Sequence, residues 1–487
     1  MSSRPRRLVP SVPTVVAALL GVPGPSEAQG VLPEPPPQRP TTATTSGGSL
    51  GEDDLRALLR PADGGLTEAE VAQRAARVRP AVERREAAER EARAAEARAR
   101  AGFLPGLDLS ADYTRLSDVD LPGFGGEGDG PAGENPFPVI LNRYQVLATV
   151  QVPVSDYFLE IWPRYEGQAD LTEAARFRVE TERQRAALAA RRTLLELARA
   201  RGQLEVAKAS VELLEQNRQD QARRVAAGVD PRADLLEIEA QLEEVRVQAL
   251  TAERSVRRSE VALRTLLELE LDAPVPLGVP LFEPPLDPIE PLPALLAEAE
   301  ERRPEVRALR ATVAANEDLE RAELGRVFPE LSVRGRVNHQ RPNNRIIPQQ
   351  RRFDTTWQVS ATLAWSPNDL VVGSHRADEA EARTDQTRQD YDALIDRLAN
   401  DGVDARTAHV RARRALSAAR RRLTAAREAY RVRSRQLSVG ETTPRNLLDA
   451  ETAVRDAQLQ LVDALVELRL ARAQLDHLLG RAEQPTS

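Results

Sequence analysis

Toward the C-terminus, Leu447, Val454, Leu461, Leu468 and Leu475 recur every seven residues, and Ala450, Ala457, Ala464, Ala471 and Leu478 follow each of them by three. This is an a/d seam sustained over five heptads. An alanine at d leaves room for a facing leucine, so the large–small alternation lets a second helix approach closely. The same seam runs earlier through Leu235, Leu242, Ala249, Val256 and Leu263, with Ile238, Val245, Ala252, Ser259 and Leu266. The helix before the last one carries Leu416, Leu423, Tyr430 and Leu437 with Ala412, Ala419 and Ala426. Helices are predicted over 168–226, 232–269, 375–438 and 445–480. A helix of about 60 residues extends roughly 90 Å at ~1.5 Å per residue, so it cannot fold back on a compact core and must belong to a rod or a tube.

The order of elements occurs twice. Arg79-Pro80 and Val82 recur as Arg303-Pro304 and Val306, and at the same separation Pro105 and Leu107 recur as Pro329 and Leu331. Gln145-Val146 matches Gln358-Val359, and Asp156 matches Asp369; Gly228, Leu235, Leu236 and Glu239 match Gly440, Leu447, Leu448 and Glu451. Each unit reads helix, strand, strand, long helix, tight turn, helix, the leading helices lying at 66–101 and 294–326. The units span 65–271 and 294–480, with a tail at 481–487. Between them, residues 272–293 hold eight prolines and can form only a linker.

The N-terminus has the form of a secretory signal over residues 1–28. Arg4, Arg6 and Arg7 precede a short apolar run from Val15 to Val22, and Ser-Glu-Ala at 26–28 fits a small-x-small cleavage site. Residues 29–64, rich in Pro, Thr and Gly, are expected to be flexible. No later run reaches the ~18 apolar residues of a membrane-spanning helix. The chain has no cysteine and four histidines (His339, His375, His409 and His477) at no ligand spacing, which leaves no thiolate chemistry, no disulfide and little support for a metal site. Its 68 basic and 75 acidic residues are intermixed, without the basic patch that nucleic acid needs. No phosphate-binding glycine loop and no histidine-based triad is present, so neither a cofactor nor an enzyme is expected.

Four segments alternate with period two. Trp357, Val359, Ala361, Leu363 and Trp365 form an apolar face with a tryptophan at each end, against Gln358, Ser360, Thr362 and Ala364. Tyr144, Val146, Ala148, Val150 and Val152 are the counterpart in the first unit; Leu107, Leu109, Ala111 and Tyr113 alternate with Asp108, Ser110 and Asp112. Leu331, Val333, Gly335 and Val337 alternate with Ser332, Arg334, Arg336 and Asn338. An apolar outer band bounded by interfacial aromatics is what lipid demands of an outer-membrane strand, with Tyr113, Tyr144, Trp357 and Trp365 as the interface candidates. A soluble two-hairpin sheet fits any one of these strands, and on the helices alone a coiled-coil rod without a pore fits as well. Four strands cannot seal a barrel and lipid tolerates no open edge, so membrane strands require several chains; three copies would supply twelve. The connections at 117–142 and at 339–352, the latter with Arg341, Arg345, Arg351 and Arg352, are expected to be surface loops.

From about residue 66 to 480 the chain resembles the TolC-like outer-membrane efflux proteins. The resemblance rests on "RPEV" at 303–306, "FPEL" at 328–331 echoed by "LPGL" at 104–107, "VPVSD" at 152–156, and "LSVGETTPRNLLDAE" at 437–451, in doubled order. It implies a mainly α fold with a small antiparallel β part: a homotrimer whose strands, four per protomer, form one transmembrane β-barrel in outer-membrane lipid, above a coiled-coil helical barrel in the periplasm. It also implies a passive exit duct for tripartite efflux or type I secretion, opened when an inner-membrane transporter and a periplasmic adaptor dock.

The turns at Gly228 and Gly440 would then be the periplasmic tips, with Pro231 and Pro444 opening the returning helices. The resemblance places constriction-lining aspartates just after the second tip. Asp449 stands at one such position and Asn446 at the other, while Asp234 is the first-unit equivalent of Asn446. Asp449 reads equally as an acid favoured by the dipole of its helix N-terminus. Where the family tends to have a tip arginine, this chain has Thr442, with Arg445 nearby. The rival assignment is a periplasmic coiled-coil scaffold or adaptor without a pore.

Overall fold

The computed structural model describes residues 51–118, 140–286 and 288–481. The signal segment at 1–28 and most of the 117–142 connection lie outside the described residues.

Each unit carries its strands at one end of long helices. In the first, α2 (Glu68–Val78) and α3 (Pro80–Ala101) lead to β1 (Gly106–Arg115) and β2 (Asn142–Pro153). A π-helical turn over Tyr157–Ile161 then runs into α4 (Trp162–Ala226), which reverses into α5 (Arg232–Leu266). The second repeats the order with α6 (Leu292–Arg302), α7 (Pro304–Gly325), β3 (Glu330–Arg341), β4 (Asp354–Ala364), α8 (Pro367–Ser438) and α9 (Pro444–Leu478). The helices expected as single elements over 66–101 and 294–326 are each broken in two. Pro80 and Pro304 force the residue before them out of the helical region, and Arg79 and Arg303 are accordingly extended at ψ 128° and 123°.

Near the sheet the packing order is α3–α4–α7–α8; in the far half it is α5–α4–α9–α8. Thus α4 and α8 run through both halves, and short helices take turns between them. The row near the sheet is curved. A concavity of about 470 Å³ takes in Arg98 of α3, Gln168 of α4, Leu319 of α7 and Arg383 of α8. The close crossing of α4 on α7 needs Gly167, whose Cβ would stand 2.9 Å from the Ala315 carbonyl oxygen.

The heptad seam is the core. Val454, Ala457, Leu461, Leu468 and Leu475 are buried, as are Leu416 and Leu423 on α8. Because α9 also packs on α4, it is covered on further faces: Val462, Leu465 and Val466 are buried as well, beside Leu194, Leu195 and Leu197 of α4. Each such leucine contributes about 1.5–3 kcal/mol of transfer free energy.

The segment 29–64, expected to be flexible throughout, contains α1 (Glu52–Leu58). Leu55 is 0 % exposed in the main core, and Glu52 pairs with Arg420 of α8 at 3.1 Å. The apolar anchor outweighs the loop-like composition around it. The described part of 272–293 has no regular element before α6, as its prolines require. Its proline nitrogens cannot donate, but its carbonyls need donors. Arginines supply them: Arg201 to Val275 O at 2.7 Å, Arg264 to Ala273 O at 2.8 Å, and Arg469 to Pro280 O and Glu283 O. Val275, Val279, Leu281 and Phe282 are buried there. At the other end, Arg481 of the expected tail is tied to Glu298 of α6.

Candidate functional site

The strands pair antiparallel in the order β1–β2–β3–β4, and the register aligns the period-two pattern across all four. Leu109 lies opposite Ala148, Ala148 opposite Val337, and Val337 opposite Trp357. The neighbouring row runs Leu107, Val150, Gly335, Val359. On the other face Asp108, Thr149, Arg336 and Gln358 form one row, and Gln151, Arg334 and Ser360 lie in the next. One face is therefore apolar from edge to edge and the other polar. The apolar face is also uncovered: Leu107 is 76 % exposed, Trp357 72 % and Leu363 70 %. Among the described residues no element packs on it as it would on a soluble sheet.

Aromatic rings gather at both ends of this face. At the hairpin end Tyr113, Tyr144, Phe353 and His339 form a chain with centroid separations of 5.0, 6.0 and 5.1 Å. At the helical end Phe103 contacts Tyr157, Trp162 and Tyr165 at 6.3, 6.0 and 5.8 Å, and Phe158, Phe328 and Trp365 are exposed. Between these two groups β1 runs from Gly106 to Arg115, a rise of about 30 Å at ~3.3 Å per residue. Trp357 does not mark a strand end as its spacing suggested. Thr355 and Asp354 extend β4 beyond it by pairing with His339 and Gln340. That pairing, with Arg341 opposite Tyr144 of β2, makes His339 to Arg341 part of β3, and the loop begins at Pro342. Sequence reading missed Phe103, Phe158, Trp162, Phe328 and Phe353 because they flank the alternating runs; aromatics a few residues outside each run were the available signal.

The helix reversals fall at the two glycines. Gly228 and Gly440 have φ of +72° and +78°, with nothing within 4 Å of an added Cβ, so the dihedral and not space requires glycine. Val229 N–H donates to Arg224 O at 2.9 Å and Glu441 N–H to Gln436 O at 2.8 Å, closing both helix ends. Pro444 is in the first turn of α9, whereas Pro231 is one position earlier, as the cap of α5. Asp230 locks the first tip by accepting from Arg224 Nε at 2.6 Å and Gln221 Nε2 at 2.9 Å; these contacts, with Arg224 the largest, hold its carboxyl below the usual carboxylate range. At the second tip Thr443 Oγ1 accepts from Asn446 N–H, and Asn446 Nδ2 donates to Thr442 Oγ1 at 3.0 Å. Asn446 and Asp449 are exposed, and Asp234 is half-buried. Arg445 Nη1 reaches Glu237 of α5 at 3.6 Å, linking the two hairpins.

Two turns into α9, Glu451 is 4 % exposed and accepts from Asn217 Nδ2 of α4 at 3.0 Å. Burial raises its pKa to about 7, against the pull of Asn217 and Arg455. Tyr430 of α8 is buried beside it. The described residues contain no cluster of His, Cys, Asp and Glu fit for a metal, and no helix among them is long and apolar enough to cross a membrane.

A family model described as outer membrane efflux protein matches residues 71–268 and 295–481, one stretch in each repeat. No curated protein matches. Among solved structures the chain is similar to the outer-membrane channel OprN, with 19% identity, 91% of this chain and 98% of that chain covered, and a TM-score of 0.68. The outer membrane protein VceC from Vibrio cholerae gives 15%, 86%, 97% and 0.69. The open state of the MtrE outer membrane channel from Neisseria gonorrhoeae gives 17%, 86%, 91% and 0.70. At these identities the likeness establishes the fold, a four-stranded sheet on long helices built from tandem repeats.

Proposed function

The chain belongs to the outer membrane efflux protein family, and on that premise we propose that it is the passive exit duct of a tripartite efflux or type I secretion system. Three copies join their sheets into one barrel in outer-membrane lipid, and their helices form a tube in the periplasm. A periplasmic adaptor and an inner-membrane pump dock at the tips and open it.

One observation carries this reading: a sheet whose one face is apolar across all four strands up to a polar hairpin end and whose other face is polar, and whose outer strands β1 and β4 each have, among the described residues, an unpaired edge. Lipid accepts the apolar face but not the edges, so β1 of one copy must pair with β4 of the next. The polar face, with Asp108, Arg334 and Arg336, then meets water inside. A second feature favours self-association. Leu236, Val247, Leu250 and Val261 of α5 are exposed on a helix that α4 covers on one side only. A coiled-coil scaffold in the periplasm would expose the apolar sheet face to water without a partner.

Solutes cross by diffusion through the wide tube, and energy comes from the pump. The tips set the closed state. Asp449 and Asn446 project from the first turns of α9, and Asp234 occupies the equivalent turn of α5; a ring of three Asp449 carboxylates would narrow the aperture and attract cations. Gly228 and Gly440 supply the tight reversals, and Arg445–Glu237 is an exposed pair worth under ~1 kcal/mol, suited to a latch that docking can break. Planar-bilayer recording tests the function: the purified protein should give discrete, long-lived conductance steps, and a protein that leaves the bilayer silent under all conditions is not a duct.

A further inference from the structure

The apolar face of the sheet changes character toward the hairpin end. After the row Leu109, Ala148, Val337, Trp357 comes Ala111, Val146, His339, Thr355, then Tyr113, Tyr144, Arg341, and last Arg115 with Asn142. Two arginines, with the polar Thr355 and Asn142, thus stand at the hairpin end of a face that is apolar from the row of Leu109 toward the helices. Arg341 lies with its guanidinium 6.0 Å from the Phe353 ring, and its Nε is buried without a hydrogen-bond partner. Arg115 donates to the neutral Asn142 Oδ1 at 2.8 Å. Neither has a carboxylate within ion-pair distance among the described residues, unlike Arg352 nearby, which pairs with Asp354 at 3.2 Å.

A cation held against aromatic rings at the border of an apolar band has lost part of its hydration and gains most from an anion that approaches from the same apolar phase. Two strands and two residues separate Arg115 from Arg341, about 12 Å at ~4.8 Å per strand and ~3.3 Å per residue. That spacing suits phosphates on one large headgroup or on two adjacent ones.

We propose that this rim is a binding site for phosphate-bearing lipid headgroups of the outer leaflet. The phosphates engage Arg115 and Arg341, the headgroup lies against Tyr113, Tyr144 and Phe353, and the acyl chains run down the band past Val337 and Trp357. The proposal rests on the channel reading, which places the hairpin end at the outer surface. Charge complementarity and continuity with the lipid-facing band identify the occupant as a lipid. The site would fix the vertical position of the barrel and favour insertion where anionic lipid is dense.

The full-length protein, purified in a neutral detergent, is titrated with diphosphoryl lipid A, with the dephosphorylated form, and with inorganic phosphate, and adducts are read by native mass spectrometry. The diphosphoryl form should bind in preference to the dephosphorylated one. Arg115→Gln/Arg341→Gln should lower its apparent affinity about thirtyfold, as for the loss of two cation contacts, and Arg115→Lys/Arg341→Lys should retain most of it. Inorganic phosphate should neither bind measurably nor displace the lipid. Equal binding of the two lipid forms, equal binding by the wild type and the Gln variant, or displacement by inorganic phosphate would each overturn the proposal. Conductance in phosphatidylcholine bilayers separates the two readings. A conducting protein without lipid preference refutes the site alone, and a silent one refutes the duct.

Discussion

Asn217 on α4 donates its amide to the Glu451 carboxylate on α9 at 3.0 Å, a polar link between the two hairpins within an apolar interface. Burial sets its energetics. An acid whose folded pKa is raised from 4.5 to about 7 carries no penalty below pH 4.5. The penalty grows as pH rises from 4.5 to about 7 and is complete above that, at about 3 kcal/mol. Glu451→Gln removes the charge and keeps an oxygen for Asn217. Thermal unfolding of this variant should match the wild type at pH 5 and occur at higher temperature at pH 8. A variant less stable than the wild type at pH 8 would mean that the carboxylate is stabilised there by charges that outweigh its burial.

Gly325 ends α7 against the π-helical turn, and an added Cβ would stand 1.9 Å from Leu159 O and 2.5 Å from its carbonyl carbon. Backbone cannot yield as a flexible side chain can, so Gly325→Ala should cost several kcal/mol, on the order of ~3 kcal/mol or more. Gly335→Ala, with nothing within 4 Å of the new carbon, should change stability by less than ~0.5 kcal/mol. Yield of folded protein in the outer-membrane fraction checks both; equal yields would show that α7 does not meet the turn so closely.

Val359 lies in the middle of the apolar face, and Thr362 lies on the opposite face of the same strand, β4. An arginine at a lipid-facing position near the bilayer midplane costs about 2–4 kcal/mol. Val359→Arg should therefore reduce assembled protein sharply, while Thr362→Arg, facing water, should have little effect. Equal tolerance, measured as oligomer on detergent gels, would argue for a sheet wetted on both faces.

Asp449 is exposed beyond the second tip. Three copies closing an aperture there would bind multivalent cations, so Asp449→Ala should raise single-channel conductance or weaken cation block by about tenfold. An unchanged titration with a trivalent cation removes Asp449 from the aperture.

Much of this was legible in the sequence because periodicity reports which face is covered. Leu461 and Leu468 every seven residues, and Val359 and Leu363 among alternating polar residues, fixed the helices and the two-faced sheet. What escaped depends on partners distant in sequence. Glu451 follows Ala450 of the seam, a position that an isolated helix pair leaves in water; it is buried only because α4, from the other repeat, packs there. Leu55 was hidden by the prolines and glycines around it, although one fully buried leucine suffices to anchor a seven-residue helix. The breaks at Arg79 and Arg303 follow from local sterics before proline, which the Ala/Glu/Arg-rich surroundings obscured.

Mass determination of the protein extracted from outer membranes in neutral detergent tests the central claim most directly. An assembly of three chains of 53.6 kDa each, less any signal segment removed, that precipitates when surfactant is withdrawn is the expected result. A stable single chain, freely soluble without surfactant, would contradict it, since one sheet with two open edges and a bare apolar face could not then belong in lipid.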